Sequence, residues 1–215
     1  MEKLKKNEPP KRPLLEEIGN SVTHGVGAVF AVVAFALMLT RAESMPHLVG
    51  AVIYFVGLFT MMTVSCLYHA FPHGMAVKRI FRRFDYSCIY LLIGATFAPI
   101  LLAYVGGSFG FTFLIIQWSV IAVGITLVGV FGPGRLRFVH IPLYLALGWC
   151  GLMLLPCMVK AGDLALLGLI LGGGVVYSLG VIPFVLKRGP SHFIWHFFVL
   201  AGAVVQWLGI YLYIY

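Results

Sequence analysis

The sequence predicts an all-α integral membrane protein: a bundle of seven transmembrane helices with a cytoplasmic N-terminus and an outer C-terminus. Three observations predict it. The chain is 61% apolar and 10% charged, where a soluble domain carries about 25% charged residues. Its apolar residues run in stretches of the roughly 20 residues needed to cross a bilayer core. Of its 15 Lys and Arg residues, only Arg41 and Lys160 fall on one side of the predicted membrane. The others fall in the N-terminal tail and in alternate loops, the asymmetry of a positive-inside protein. That distribution accounts for the net charge of +8 without nucleic acid, and it leaves the basic loops free to meet anionic headgroups.

Residues 1–15 read as a mobile cytoplasmic polar tail containing Pro9, Pro10 and Pro13, and residues 16–215 as the seven-helix domain. The predicted spans are 19–40, 48–70, 85–104, 110–131, 138–157, 164–186 and 191–213. Residues 86–134 carry no charge, which is too long a run for one span, and Gly106-Gly107-Ser108 is its natural turn. The basic residues Lys78, Arg79, Arg82 and Arg83 then belong to the second loop, Arg135 and Arg137 to the fourth, and Lys187 and Arg188 to the sixth. Pro99, Pro142, Pro156 and Pro183 are candidate kinks. Gly168 with Gly172, and Gly124 with Gly129, are candidate small-residue packing positions. The start of the chain lacks the pattern of a cleavable signal. Cys66, Cys88, Cys150 and Cys157 have no CxxC spacing and read as apolar helix residues rather than as a disulfide framework. The predicted location is the cell inner (plasma) membrane, crossed several times.

The rare polar residues converge at one depth. His192 and His196 lie four apart and so share a helix face. Ser65 and His69 fall at the cytoplasmic end of the second span, Asp85 at the start of the third, and Glu16, Asn20 and His24 on one face of the first. Of seven histidines, only His47 falls on the outer side. Three imidazoles, His69, His192 and His196, with an open fourth position are the coordination of a catalytic zinc. A metal-bound water is acidified toward neutrality, Asp85 could take its proton or orient a ligand, and Ser65 could hydrogen-bond a ligand or a developing oxyanion. Simpler roles stand beside these. Asp85 and Ser191 suit helix N-caps, Glu16 and Glu17 suit the dipole of the first helix, and Ser65 could bond a carbonyl of its own helix. His73 and His140 read as loop or interface residues.

These elements carry a resemblance. The segments Glu16 to Gly25, Ser65-Cys66-Leu67-Tyr68-His69, Phe84 to Tyr90 and Ser191 to His196 resemble the hemolysin III family, the bacterial branch of the progestin and adiponectin receptor family. The resemblance implies a zinc ion on His69, His192 and His196, with Asp85 holding the water and Ser65 beside it. It also places the chain near the alkaline ceramidases, which are membrane amide hydrolases. The chain departs at Tyr86, where bacterial relatives often carry histidine.

Three functions follow as expectations. The first is a zinc-dependent hydrolase of a lipid amide or ester, with a role in membrane lipid homeostasis and a membrane lipid as substrate. The very short outer loops favour it, since they offer little surface to a protein ligand. The second is a non-enzymatic membrane-state sensor or receptor-like regulator with a structural zinc. The third, a pore-forming hemolysin, is disfavoured because no span carries a row of charged residues to line an aqueous path.

Overall fold

A computed structural model of the chain describes residues 7–186 and 189–215. Lys3, Lys5, Lys6, Lys187 and Arg188, assigned above to the tail and the sixth loop, lie outside the described residues. Among the described residues there is no strand. The helices are α1 (Leu14–Leu39), α2 (Met45–Ala70), α3 (Ala76–Pro99), α4 (Gly107–Phe131), α5 (Arg137–Trp149), α6 (Leu155–Ala161), α7 (Leu164–Leu186) and α8 (Ser191–Tyr213). Seven stretches are long and apolar enough to cross a bilayer, with α5 and α6 forming one of them, Arg137–Ala161.

Proline and glycine set the irregular points. Pro99 cannot donate to the helical ladder, and from Ile100 to Val105 the backbone widens to a π-helical stretch. That stretch closes on the Gly106 amide, which donates to Leu101 O at 3.1 Å. Gly106 and Gly107 then turn the chain at φ 60° and 59°, the left-handed region open to glycine. The fifth span is interrupted by a 3₁₀ turn, Cys150–Leu154, before α6 starts with Pro156 in its first turn, where a missing N–H costs no helical bond.

The helices form a ring. Neighbours α4, α3, α2, α1, α8 and α7 pack in that order, while α5 closes the ring only loosely against α3, α4 and α7. The main core draws on α1, α2, α3, α7 and α8, with Met38, Tyr54, Leu58, Met62, Leu166 and Ile210 fully enclosed. Val22, Val26, Val29 and Val33 of α1 stay exposed, as suits a face turned to lipid.

The close helix contacts lie elsewhere than the predicted glycine pairs. Gly168 and Gly129 have open space beside them, and Gly172 touches its neighbour only at ordinary distance; of the four, only Gly124 is filled, by the Tyr90 ring. The tight crossings are at Gly57, where an added Cβ would lie 2.2 Å from Ala95 Cβ, and at Gly173, where it would lie 2.3 Å from Gln206 Cγ. The predicted pairs follow spacing in sequence, whereas the contact depends on which face of the helix meets a neighbour.

Two further differences bear on function. First, α3 begins at Ala76, so Lys78, Arg79, Arg82 and Arg83 are helical rather than in a loop. Asp85 lies about two and a half turns inside the helix and does not cap it. Lys78, Arg82 and Asp85 share one buried face. Partners make that burial tolerable: Lys78 pairs with Glu17 at 2.9 Å, and Arg82 donates to Glu8 O at 2.8 Å. Second, residues 7–13 of the tail pack against the bundle instead of running free. Asn7 Nδ2 donates to Phe131 O at 2.9 Å and Asn7 Oδ1 accepts from the Gly134 amide at 3.1 Å. His73 Nε2 reaches Pro9 O at 3.1 Å. The tail therefore ties down the face that holds the α2–α3 and α4–α5 connections.

Candidate metal centre

His69 sits in the last turn of α2 and His192 and His196 in the first two turns of α8. Helical spacing stacks the latter two on one side of α8. All three are buried, and their ligand atoms lie within 4.8 Å of one another. His192 Nε2 is 3.3 Å from His69 Nε2 and 3.3 Å from His196 Nε2. With metal–nitrogen bonds of about 2.1 Å, tetrahedral ligands stand about 3.4 Å apart, so the donor set fits one small cation. These are the three histidines singled out from the sequence, and together they form a group that could hold a metal.

The tautomer of His69 supports the same geometry. Its Nδ1 faces Glu17 Oε2 at 2.5 Å, with the Asn20 amide nitrogen 3.3 Å from the same atom. With Nδ1–H given to the carboxylate, neutral His69 carries its lone pair on Nε2, the atom turned toward His192. Glu17 Oε1 accepts from Lys78 Nζ at 2.9 Å, and Lys78 Nζ also donates to Phe71 O at 2.8 Å. Glu17 therefore does more than complement a helix dipole. The adjacent Glu16 is the one that faces Arg12, at 3.4 Å.

Asp85 and Ser65 are both buried and lie beside each other near His69. Asp85 stands outside the three-nitrogen group, and its Oδ1 has no hydrogen-bond partner among the described residues. His24, fully buried, stacks on His196 with ring centroids 3.9 Å apart. Both of its ring nitrogens lack partners among the described residues. Ser191 is the first residue of α8, where Pro190 holds the cap position, and it makes no capping bond.

His140 corrects one sequence expectation. It is not in a loop but fully buried in the first turn of α5, with Nδ1 2.9 Å from Tyr90 Oη. Tyr144 packs on the same Tyr90 ring and donates to Tyr86 O at 2.7 Å. Tyr86 itself is close to the Arg82 guanidinium, 5.8 Å from ring centroid to Cζ.

A cavity of about 1150 Å³ on the face that carries the tail reaches His192. Charged groups (Arg12, Arg82, Asp85 and Arg137) and apolar ones (Phe138, Ile141 and Phe184) line it together. A smaller apolar cavity of about 100 Å³ lies beyond it, and the two share Ile141 and Phe184. Both spaces occur where α5 packs loosely.

Sequence reasoning missed Glu17 and Lys78. The signal for Glu17 was available: Glu17, Asn20 and His24 are spaced by three and four residues, a helix face one position away from the Glu16 face chosen from the sequence. Lys78 had no such signal, because a lysine just before an apolar run looks like a loop charge.

A family model described as "Haemolysin-III related" matches residues 13–207. The chain is 32% identical to "Hemolysin-3" of Bacillus cereus over 203 residues, covering 93% of this chain and 92% of that protein. It is 33% identical to "Hemolysin-3 homolog" of Bacillus subtilis (strain 168) over 195 residues, or 89% and 91% of the two chains. It is also 30% identical to the human "Monocyte to macrophage differentiation factor" over 209 residues, or 93% and 85%. With its seven apolar helices, the chain is a multi-pass membrane protein belonging to the haemolysin-III related family.

Proposed function

We propose that the chain is a zinc-dependent hydrolase of a lipid amide or ester, embedded in the cell inner (plasma) membrane with its N-terminus and metal centre on the cytoplasmic side. The observation that carries this reading is the convergence of three imidazole nitrogens, one of them on His192, which lines a cavity with both charged and apolar walls. Imidazole donors in a tetrahedral arrangement suit zinc. When bound, zinc supplies Lewis acidity toward a carbonyl oxygen and toward water. His69, His192 and His196 would hold the ion through their ring nitrogens. Asp85, with Oδ1 unpartnered, is the base that takes a proton from the attacking water. Ser65 orients the Asp85 carboxylate and stands close enough to meet a developing oxyanion. The apolar wall accepts the chains of a membrane lipid and excludes bulk water from the reacting bond.

The role of zinc as a helix staple is the second reading. It is favoured by one observation: the ligands join the end of α2 to the start of α8, elements that are distant in the chain and are not immediate neighbours in the ring. In that case the protein is a non-enzymatic regulator that responds to membrane state.

Elemental mass spectrometry on purified protein comes first. About one zinc per chain in the wild type, lost in His196→Ala, supports the centre; a metal-free wild type prepared without chelators removes both readings. Asp85→Asn then separates them. For a hydrolase, zinc and fold persist while turnover of lipid amides or esters falls about 10²–10⁴-fold, the contribution of a general base. Unchanged turnover in that variant overturns the catalytic assignment.

A further inference from the structure

We propose that Glu17 and Lys78 are a positioning pair for the metal centre: Glu17 fixes the orientation and tautomer of His69, and Lys78 fixes Glu17. The proposal rests on the metal reading above and adds residues that the histidine motif does not contain. Three observations carry it. The Glu17 carboxylate spends one oxygen on His69 Nδ1 and the other on Lys78 Nζ, at 2.5 and 2.9 Å. Lys78 is 1% exposed, and its ammonium makes a second bond to Phe71 O while standing 5.1 Å from the Tyr68 ring centroid. The three groups come from α1, α2 and α3, so the chain's own fold delivers the carboxylate to His69.

The chemistry gives each residue a separate task. A metal-ligating imidazole can turn about its side-chain bonds and can place its proton on either nitrogen. A carboxylate on Nδ1 removes both freedoms, leaves the Nε2 lone pair facing the cation and raises its basicity. A largely buried carboxylate is itself costly unless paired. The Lys78 ammonium offsets that cost and, through Phe71 O, anchors the carboxylate to the backbone just beyond α2. Lys78 therefore acts on the metal only through Glu17. The two effects should not add, since residues in one hydrogen-bonded network are coupled.

The test is metal affinity per folded molecule, read by chelator competition with zinc on monodisperse protein and by the visible absorption of the cobalt-loaded form. Glu17→Gln is expected to weaken zinc binding about 10–100-fold and to shift the cobalt bands. Lys78→Met is expected to weaken it by a smaller factor, with Lys78→Arg restoring it. The double variant E17Q/K78M is expected to be no weaker than E17Q. It also removes both charges together, so it carries the test if the single variant leaves a charge that does not survive purification. Wild-type affinity and an unshifted cobalt spectrum in E17Q, or in the double variant, overturn the proposal while leaving the metal centre intact. Additive losses in the double variant overturn the role of Lys78 alone. A wild type that binds no zinc or cobalt fails at the metal reading itself, a different result from either.

Discussion

The Oδ1 atom of Asp85 and the two nitrogens of His24 are buried without partners among the described residues, whereas the nearby His69 is held through Nδ1 by the Glu17 carboxylate. Unpaired buried polar atoms cost free energy, and several of them lie at the histidine group. His140, in α5, is a buried imidazole with a tyrosine on Nδ1 and no partner on Nε2 among the described residues. Tyr90→Phe removes that partner and is expected to cost about 1–3 kcal/mol, read as a lower unfolding temperature in detergent with metal content unchanged. The grouping of His69, His192 and His196 was legible in the sequence because helical spacing and span direction together fix a depth. The partners of His69 were not. Glu17 differs from Glu16 by one position on a helix face, and the pairing of Lys78 is made across helices, which no local pattern encodes.

At the scale of elements, hydropathy counts the seven spans correctly because each must supply its own apolar length. Boundaries were less legible. The start of α3 was hidden by four basic residues, two of which turn inward to Glu17 and to Glu8 O. Helix contacts were likewise missed, since spacing finds small residues without saying which face meets a neighbour. The distinction is testable. At Gly57 even a methyl group would collide with Ala95 and approach Leu91 O at 3.1 Å, so Gly57→Ala is expected to destabilise by about 1–3 kcal/mol. Gly168→Ala, with open space beside it, should leave stability within about 0.5 kcal/mol. Thermal unfolding of the two variants side by side checks both.

For the whole molecule, the proposed orientation rests on charge. The face that carries the packed tail also carries the basic start of α3, with Lys78, Arg79, Arg82 and Arg83, and Arg135 and Arg137 at the α4–α5 turn, and the positive-inside rule would put that face in the cytoplasm. A protease-cleavable tag on the N-terminus is therefore expected to be cut in inside-out vesicles and protected in right-side-out ones. The reverse pattern would move the candidate centre to the outer side.

The separation of the ligands along the chain has a consequence for biogenesis. His69 and His192 are 123 residues apart, and His196 follows one turn later. At a translation rate of about 5–20 residues per second, roughly 6–25 s pass between synthesis of the first ligand and the second. A ribosome that stalls before the last span leaves His69 beside Glu17 without His192 and His196. On the metal reading proposed above, loading would be tied to completion of the polypeptide, and a truncated product inserted in the bilayer would carry Glu17 and one candidate ligand but no complete centre.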